Sequence, residues 1–192
     1  MEQIVSMSND DKNGHIFNRF YDTIGLNDDI DRNQLTKQLF DEMLNKRQWS
    51  LIPGVDRLIQ HLYRHNIPMA IATNSPQSVI KILSKKFENF FDKYFTHYVC
   101  ASDDPEVKAI KPDPQVYSVC MNRFVNRPES EANVLIIEDS LQGIRGAVET
   151  GMKTLLVNDR KYSNFDSIAD RITVIVNCFD NFDPQSLGLP AY

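Results

Sequence analysis

The chain's 192 residues, 42% of them hydrophobic, suffice for one good core, or for a core domain with a small accessory lobe. A net charge of -5, with 21 basic residues scattered rather than striped along one element, excludes the electrostatic footprint of a nucleic-acid binder. Cys100, Cys120 and Cys178 make no C-x-x-C pair, which excludes a zinc knuckle or disulfide framework and suits a reducing compartment.

The opening MEQIVSMSNDDKNG has a short apolar patch followed by acids and amides. It reads as neither signal peptide nor membrane anchor, and the chain is expected in the cytoplasm. From Ile16 to Leu44 apolar residues recur at helical spacing, as Phe17, Phe20, Tyr21 and Ile24 and then Leu35, Leu39, Met43 and Leu44. This predicts a helical hairpin or small bundle within residues 1–50. From residue 51 to 192 short β-rich runs alternate with amphipathic helices, the pattern of a parallel sheet covered on both faces.

Within that region the spacing predicts a helix from Gly54 to Arg64 with Val55, Leu58, Ile59 and Leu62 inward, then a buried strand from Pro68 to Thr73. Ser75 is placed to cap the next helix, with Pro76 in its first turn and Gln77 to Lys86 as its body. The aromatic stretch FENFFDKYF is expected in the core, leading to a strand from His97 to Ala101. Pro114 opens a helix to about Phe124, and Val134 to Ile137 is the clearest buried strand. Ser140 to Thr150 is a helix closed by Gly151, and strands follow at Lys153 to Val157 and Thr173 to Val176. His61 and His65 lie one helical turn apart with no third ligand nearby, and are expected on a solvated helix face.

Three signals fall at strand ends, where open α/β sheets place their ligand sites. After the strand PMAIA comes Thr73-Asn74-Ser75, where a starting helix offers free N–H groups to a phosphate; a plain N-cap is the other reading. Lys111 sits in the run AIKPDP, held by two prolines, where its cation can neutralise a phosphoryl group or simply face solvent. Glu138 and Asp139 follow the strand VLII, where their oxygens suit Mg²⁺; capping of the following helix is the alternative. Ser75 and Ser140 lack the G-x-S-x-G context of a nucleophile.

The strings IATNS, KPDP and IIEDSLQGIRGAVETGM resemble the second, third and fourth motifs of the haloacid dehalogenase superfamily, in the branch with an α-helical cap. GVDRLIQHLYRHNIPMAIATNS, DDPEVKAIKPDP and NFDPQSLGLPAY are similar to the pseudouridine-5'-phosphatase group. The resemblance implies a Rossmannoid parallel-sheet core at 51–192, the later part of a cap within 1–50, and Mg²⁺-dependent hydrolysis of phosphomonoesters through an aspartyl-phosphate. It further implies that Thr73 and the Asn74 backbone hold the phosphoryl oxygens, that Lys111 offsets their charge, and that Asp139 with Glu138 binds the metal. The expected partner is a small phosphorylated metabolite, with neither nucleic acid nor membrane.

The family's first motif, a central strand ending in D-x-D-G, has no match before Asn13. The nearest run, IVSM followed by Ser8-Asn9-Asp10-Asp11, has adjacent acids and lacks the glycine. The first central strand is therefore expected to be absent, and the chain alone to be inactive. Each buried unpaired peptide group costs about 1–3 kcal/mol, so a gap of several residues could consume the ~5–15 kcal/mol stability of a domain. Two readings result: a phosphatase chain lacking its nucleophile, or a non-catalytic protein that binds a metabolite or partner.

Overall fold

Alternating strands and helices order residues 49–157 and 165–192 of the computed structural model, which also describes residues 21–27, 29–32, 34, 35, 38, 39, 42 and 46. Asp10 and Asp11, in the run nearest to a first motif, lie outside the described residues, as does most of the expected cap. What is described there is helical at 21–23, 34–35 and 38–39, and Tyr21 is buried.

Helix α1, Val55–Arg64, places Val55, Leu58, Ile59 and Leu62 at i, i+3, i+4 and i+7, and all four are buried. It enters through Gly54 at φ 78°, where a Cβ would strike the backbone of Phe179 and Asp180. Strand β1, Ile71–Thr73, leads to α2, Gln77–Lys86, then α3, Phe90–Tyr94, and β2, Tyr98–Cys100. Helix α4, Gln115–Asn122, precedes β3, Leu135–Glu138, and α5, Leu141–Ala147. Strand β4, Lys153–Val157, and β5, Val174–Val176, complete the series, with short 3₁₀ turns at Glu131–Asn133, Asp166–Arg171 and Pro184–Leu187.

Both faces of the strands are covered. Ile136 and Leu156 pack with α4 and α5, whereas Leu135, Leu155 and Val157 pack with α1, Phe179 and Phe182. The alternation along β3 and β4 is the period-2 pleat dividing one apolar run between two helical layers. A third cluster joins Val79, Leu83 and Phe91 to Trp49, which places the aromatic stretch in the core as expected.

Among the described residues the strands form two sheets rather than one. β1 pairs in parallel with β2, Ile71 opposite Tyr98; β3, β4 and β5 pair in parallel in that order, Leu135 opposite Lys153 and Leu155 opposite Val174. Among the described residues no strand joins β1 to β3. The break falls where the absent central strand was expected.

Several boundaries differ from those expected. The strands at Pro68–Thr73 and His97–Ala101 shorten to three residues each, because a two-stranded ladder ends where its partner does. Val134–Ile137 shifts by one residue to include Glu138, and the helix from Ser140 stops at Ala147. The N-cap of α2 is Pro76 rather than Ser75; the Ser75 N–H donates to Thr73 Oγ1 at 3.0 Å, and Asp103 Oδ2 accepts from Gln77 N–H at 2.5 Å. His61 is not on a solvated face. The C-terminal tail covers it, with Pro190 O 3.0 Å from Nε2 and the Tyr192 ring centroid at 4.8 Å.

Candidate functional site

The carboxyl ends of β1 and β3, with the loop before α4, converge on one buried polar cluster. Thr73 ends β1 nearly inaccessible, and Asn74 and Ser75 are fully buried. The Asn74 side chain holds the Lys111 backbone with both its atoms: Oδ1 accepts from Lys111 N–H at 3.0 Å and Nδ2 donates to Lys111 O at 3.4 Å. Ser102 Oγ donates to Asn74 O from the other side. The Lys111–Pro112 peptide is cis.

So anchored, Lys111 turns its ammonium inward, with 1% of the residue exposed. Nζ donates to Ala72 O at 2.9 Å and to Glu138 Oε1, and lies 4.9 Å from the centroid of the Tyr117 ring. An ammonium so far from water needs an anionic partner. Glu138 provides it from the end of β3.

The Glu138 carboxylate is fully engaged. Tyr117 Oη donates to Oε1 at 2.8 Å and lies equally near Gly143 O, and Ser140 Oγ donates to Oε2 at 3.3 Å. Burial first, then the negative charge of Glu138, pushes the Tyr117 hydroxyl well above the usual tyrosine range, so it stays a donor. Ser140 also caps α5, its Oγ accepting from Gly143 N–H at 2.9 Å. A Cβ on Gly143 would collide with Glu138. On Gly146 it would fall 2.7 Å from Pro112 O, so both glycines let α5 press against the loop that carries Lys111.

Asp139 is half-buried one residue beyond, with Oδ2 sealed from solvent. The structure thus brings together all five expected residues, Thr73, Asn74, Lys111, Glu138 and Asp139. Glu138 faces the lysine, and Asp139 follows it at the end of β3. No group of three His, Cys, Asp or Glu side chains positioned for a metal occurs among the described residues. They therefore fall short of a complete Mg²⁺ site, which takes one or two carboxylates together with substrate oxygens and water.

Tyr117 and Asp103 were not singled out from sequence. Tyr117 carried a signal: it lies three residues after Pro114, on the turn of α4 facing the loop of Lys111. Asp103 carried none, because its contact with Gln77 spans 26 residues.

Between β1 and β3 lies a cavity of about 370 Å³, walled by Ala70, Ala72, Leu135 and Ile137, with Lys111 and Asp139 also lining it. No helix among the described residues is long and apolar enough to cross a membrane.

Residues 2–157 match the family of haloacid dehalogenase-like hydrolases. The chain is 32% identical over 146 residues to a probable pseudouridine-5'-phosphatase of Drosophila melanogaster, covering 76% of this chain and 62% of that protein. It is 33% identical over 143 residues to (DL)-glycerol-3-phosphatase 2 of Arabidopsis thaliana, covering 74% of this chain and 58% of that one. The chain thus spans about three fifths of the length of these relatives. Its fold is shared with a HAD hydrolase of family IA, variant 3, from Entamoeba histolytica, at a TM-score of 0.66 and 20% identity, covering 84% of this chain and 71% of that one.

Proposed function

The chain belongs to the haloacid dehalogenase-like hydrolases, and from that premise we propose that its strand-end site binds the phosphoryl group of a small sugar or nucleoside phosphomonoester. The observation that carries this reading is the convergence of Thr73, Asn74 and Lys111 at the carboxyl ends of strands that flank one cavity. Thr73 Oγ1 and the peptide groups after it hold phosphoryl oxygens, and Lys111 offsets their charge without moving, because Asn74 fixes its backbone. Glu138 positions the ammonium and Tyr117 positions Glu138.

Mg²⁺ belongs to this reading through the family, where it would neutralise phosphoryl charge. Asp139 supplies one hard oxygen ligand toward it. The described residues offer no group of three metal-ligating side chains around it, and no step is routed through the metal.

Pseudouridine 5'-phosphate is the substrate we favour, from the identity to the D. melanogaster protein. The isolated chain turns over little or nothing, since the described site holds no carboxylate poised as a nucleophile. Losses of that kind commonly reach ~10⁴–10⁶ in rate. The second reading, a metabolite-binding protein without catalysis, draws support from Lys111 being already ion-paired.

The test is phosphate release from pseudouridine 5'-phosphate and glycerol 3-phosphate by the 192-residue chain with Mg²⁺, beside Lys111→Ala and Asp139→Ala. Near-background release from all three, with measurable substrate binding by the parent chain alone, is expected. Rapid release by the parent chain, lost in both variants, would show that the site already has its nucleophile.

A further inference from the structure

The loop that follows β2 is fastened to the residues proposed to hold the phosphoryl group. Ala101 N–H donates to Thr73 O at 2.7 Å, Ser102 Oγ donates to Asn74 O, and Asp103 Oδ2 accepts from Gln77 N–H at 2.5 Å. Three consecutive residues of the loop are thus tied, in order, to the end of β1, to its next residue and to the start of α2. Thr73 and Asn74 are buried whereas Asp103 is exposed. The ties therefore run from the floor of the site out to its rim, and a carboxylate stands at the rim.

The loop carries two further acids, and their surroundings differ from those of Asp103. Asp104 receives both terminal nitrogens of Arg123, at 2.5 and 2.8 Å, and Glu106 Oε1 lies 3.0 Å from the second of them. Lys108, the loop's own ammonium, donates to Pro105 O at 2.6 Å. Among the described residues no cation pairs with Asp103, whose bond to α2 comes from a neutral peptide N–H. Lys111 cannot compensate from below, because its ammonium is buried against Glu138.

We propose that Asp103 is a specificity-determining residue, whose carboxylate rejects substrates carrying a second negative charge and accepts hydroxyl groups from the part of the substrate beyond the phosphoryl group. The proposal rests on the phosphoryl-site reading and narrows it to phosphomonoesters whose remainder is neutral and hydroxyl-bearing. An ionised carboxylate accepts at about four lone-pair positions, and Gln77 takes one, so capacity remains for a substrate hydroxyl. A second anion at the rim meets the opposite conditions. The Gln77 N–H, the kind of donor with which a helix start holds anions, is already taken, and the group that takes it is itself negative. Selection is then as much by repulsion as by attraction.

The matched probes are glycerol 3-phosphate and 3-phosphoglycerate, which share the phosphoryl group and differ at the far carbon, a hydroxymethyl in one and a carboxylate in the other. Their affinities for the full 192-residue chain are measured by calorimetry beside that of inorganic phosphate, so no turnover is required. The parent is expected to bind glycerol 3-phosphate at least ~10-fold more tightly than 3-phosphoglycerate. Asp103→Asn and Asp103→Ser both keep an oxygen able to accept from Gln77 N–H, and each is expected to bring the two affinities within ~3-fold. The ratio is the readout, and a general weakening of the site leaves it unmoved. Glu106→Gln, which removes a charge held by Arg123, is expected to keep the parent's ratio. A parent that binds phosphate but binds both esters equally, or neither, overturns the role of Asp103 and leaves the phosphoryl site standing. A ratio unchanged in both Asp103 variants does the same. A parent that binds no phosphate removes the phosphoryl-site reading, and the role of Asp103 with it.

Discussion

Lys111 and Glu138 form a pair in which neither charge can reach water, at 1% and 5% side-chain exposure. Removing one partner strands the other, so Lys111→Met or Glu138→Gln alone is expected to lower unfolding free energy by about 3–5 kcal/mol. The double variant is expected to lose less than the sum of the two, because the pair acts as one unit. Urea unfolding of the four proteins checks this. Additive losses would show that the two side chains do not depend on each other. At this scale the sequence was informative about residue type and order: Thr73, Asn74, Lys111, Glu138 and Asp139 were all legible as strand-end groups, and all five meet. What it did not disclose was pairing. Whether Glu138 faces a metal or Lys111 depends on the turn between β3 and α5, and on Tyr117 reaching across from α4.

Helices with a strong apolar stripe, such as α1, were legible to within a residue, and so was β4, whose Lys153–Val157 bounds match those expected. Short strands were less so, because their ends are set by a partner's length rather than by their own residues; β1 and β2 each lost their outer residues for this reason. The cap of α2 was misassigned to Ser75 because Asp103 arrives from the loop after β2. That same loop is tied to the end of α4 by Arg123, whose guanidinium donates to both Asp104 oxygens at 2.5 and 2.8 Å. The hydrogen bonds from Arg123 hold the Asp104 carboxyl below its ordinary value of 3.8. A depressed carboxyl stabilises the fold above its unfolded value and loses that contribution as pH falls through the folded one. Arg123→Met is therefore expected to be less stable than the parent at neutral pH, and the gap to narrow once pH falls below about 4. Thermal midpoints from pH 7 to pH 2.5 measure it; a gap that stays constant would contradict the assignment.

At the scale of the whole molecule, the governing feature is the division of one expected sheet into two among the described residues. The family match and the shared fold account for both halves, and the cavity between them lies where a strand linking β1 to β3 would run. The deficit was legible in the sequence as the missing D-x-D-G strand. Its structural outcome was not, because whether halves close up or stay apart depends on packing by helices on both faces. The clusters around α4 and α5 on one side and α1 on the other cover β3 and β4 on both faces. The proposed phosphoryl site is held by contacts between the two sheets, since Asn74 fastens the loop of Lys111 to the end of β1 and Glu138 reaches that lysine from the end of β3. Its occupancy by phosphate is the central claim, and calorimetric titration of the 192-residue chain with inorganic phosphate, beside Asn74→Ala, tests it most directly. Saturable binding to the parent that weakens ~10-fold or more in the variant is the predicted result. No binding to the parent, or equal binding to both proteins, would contradict it.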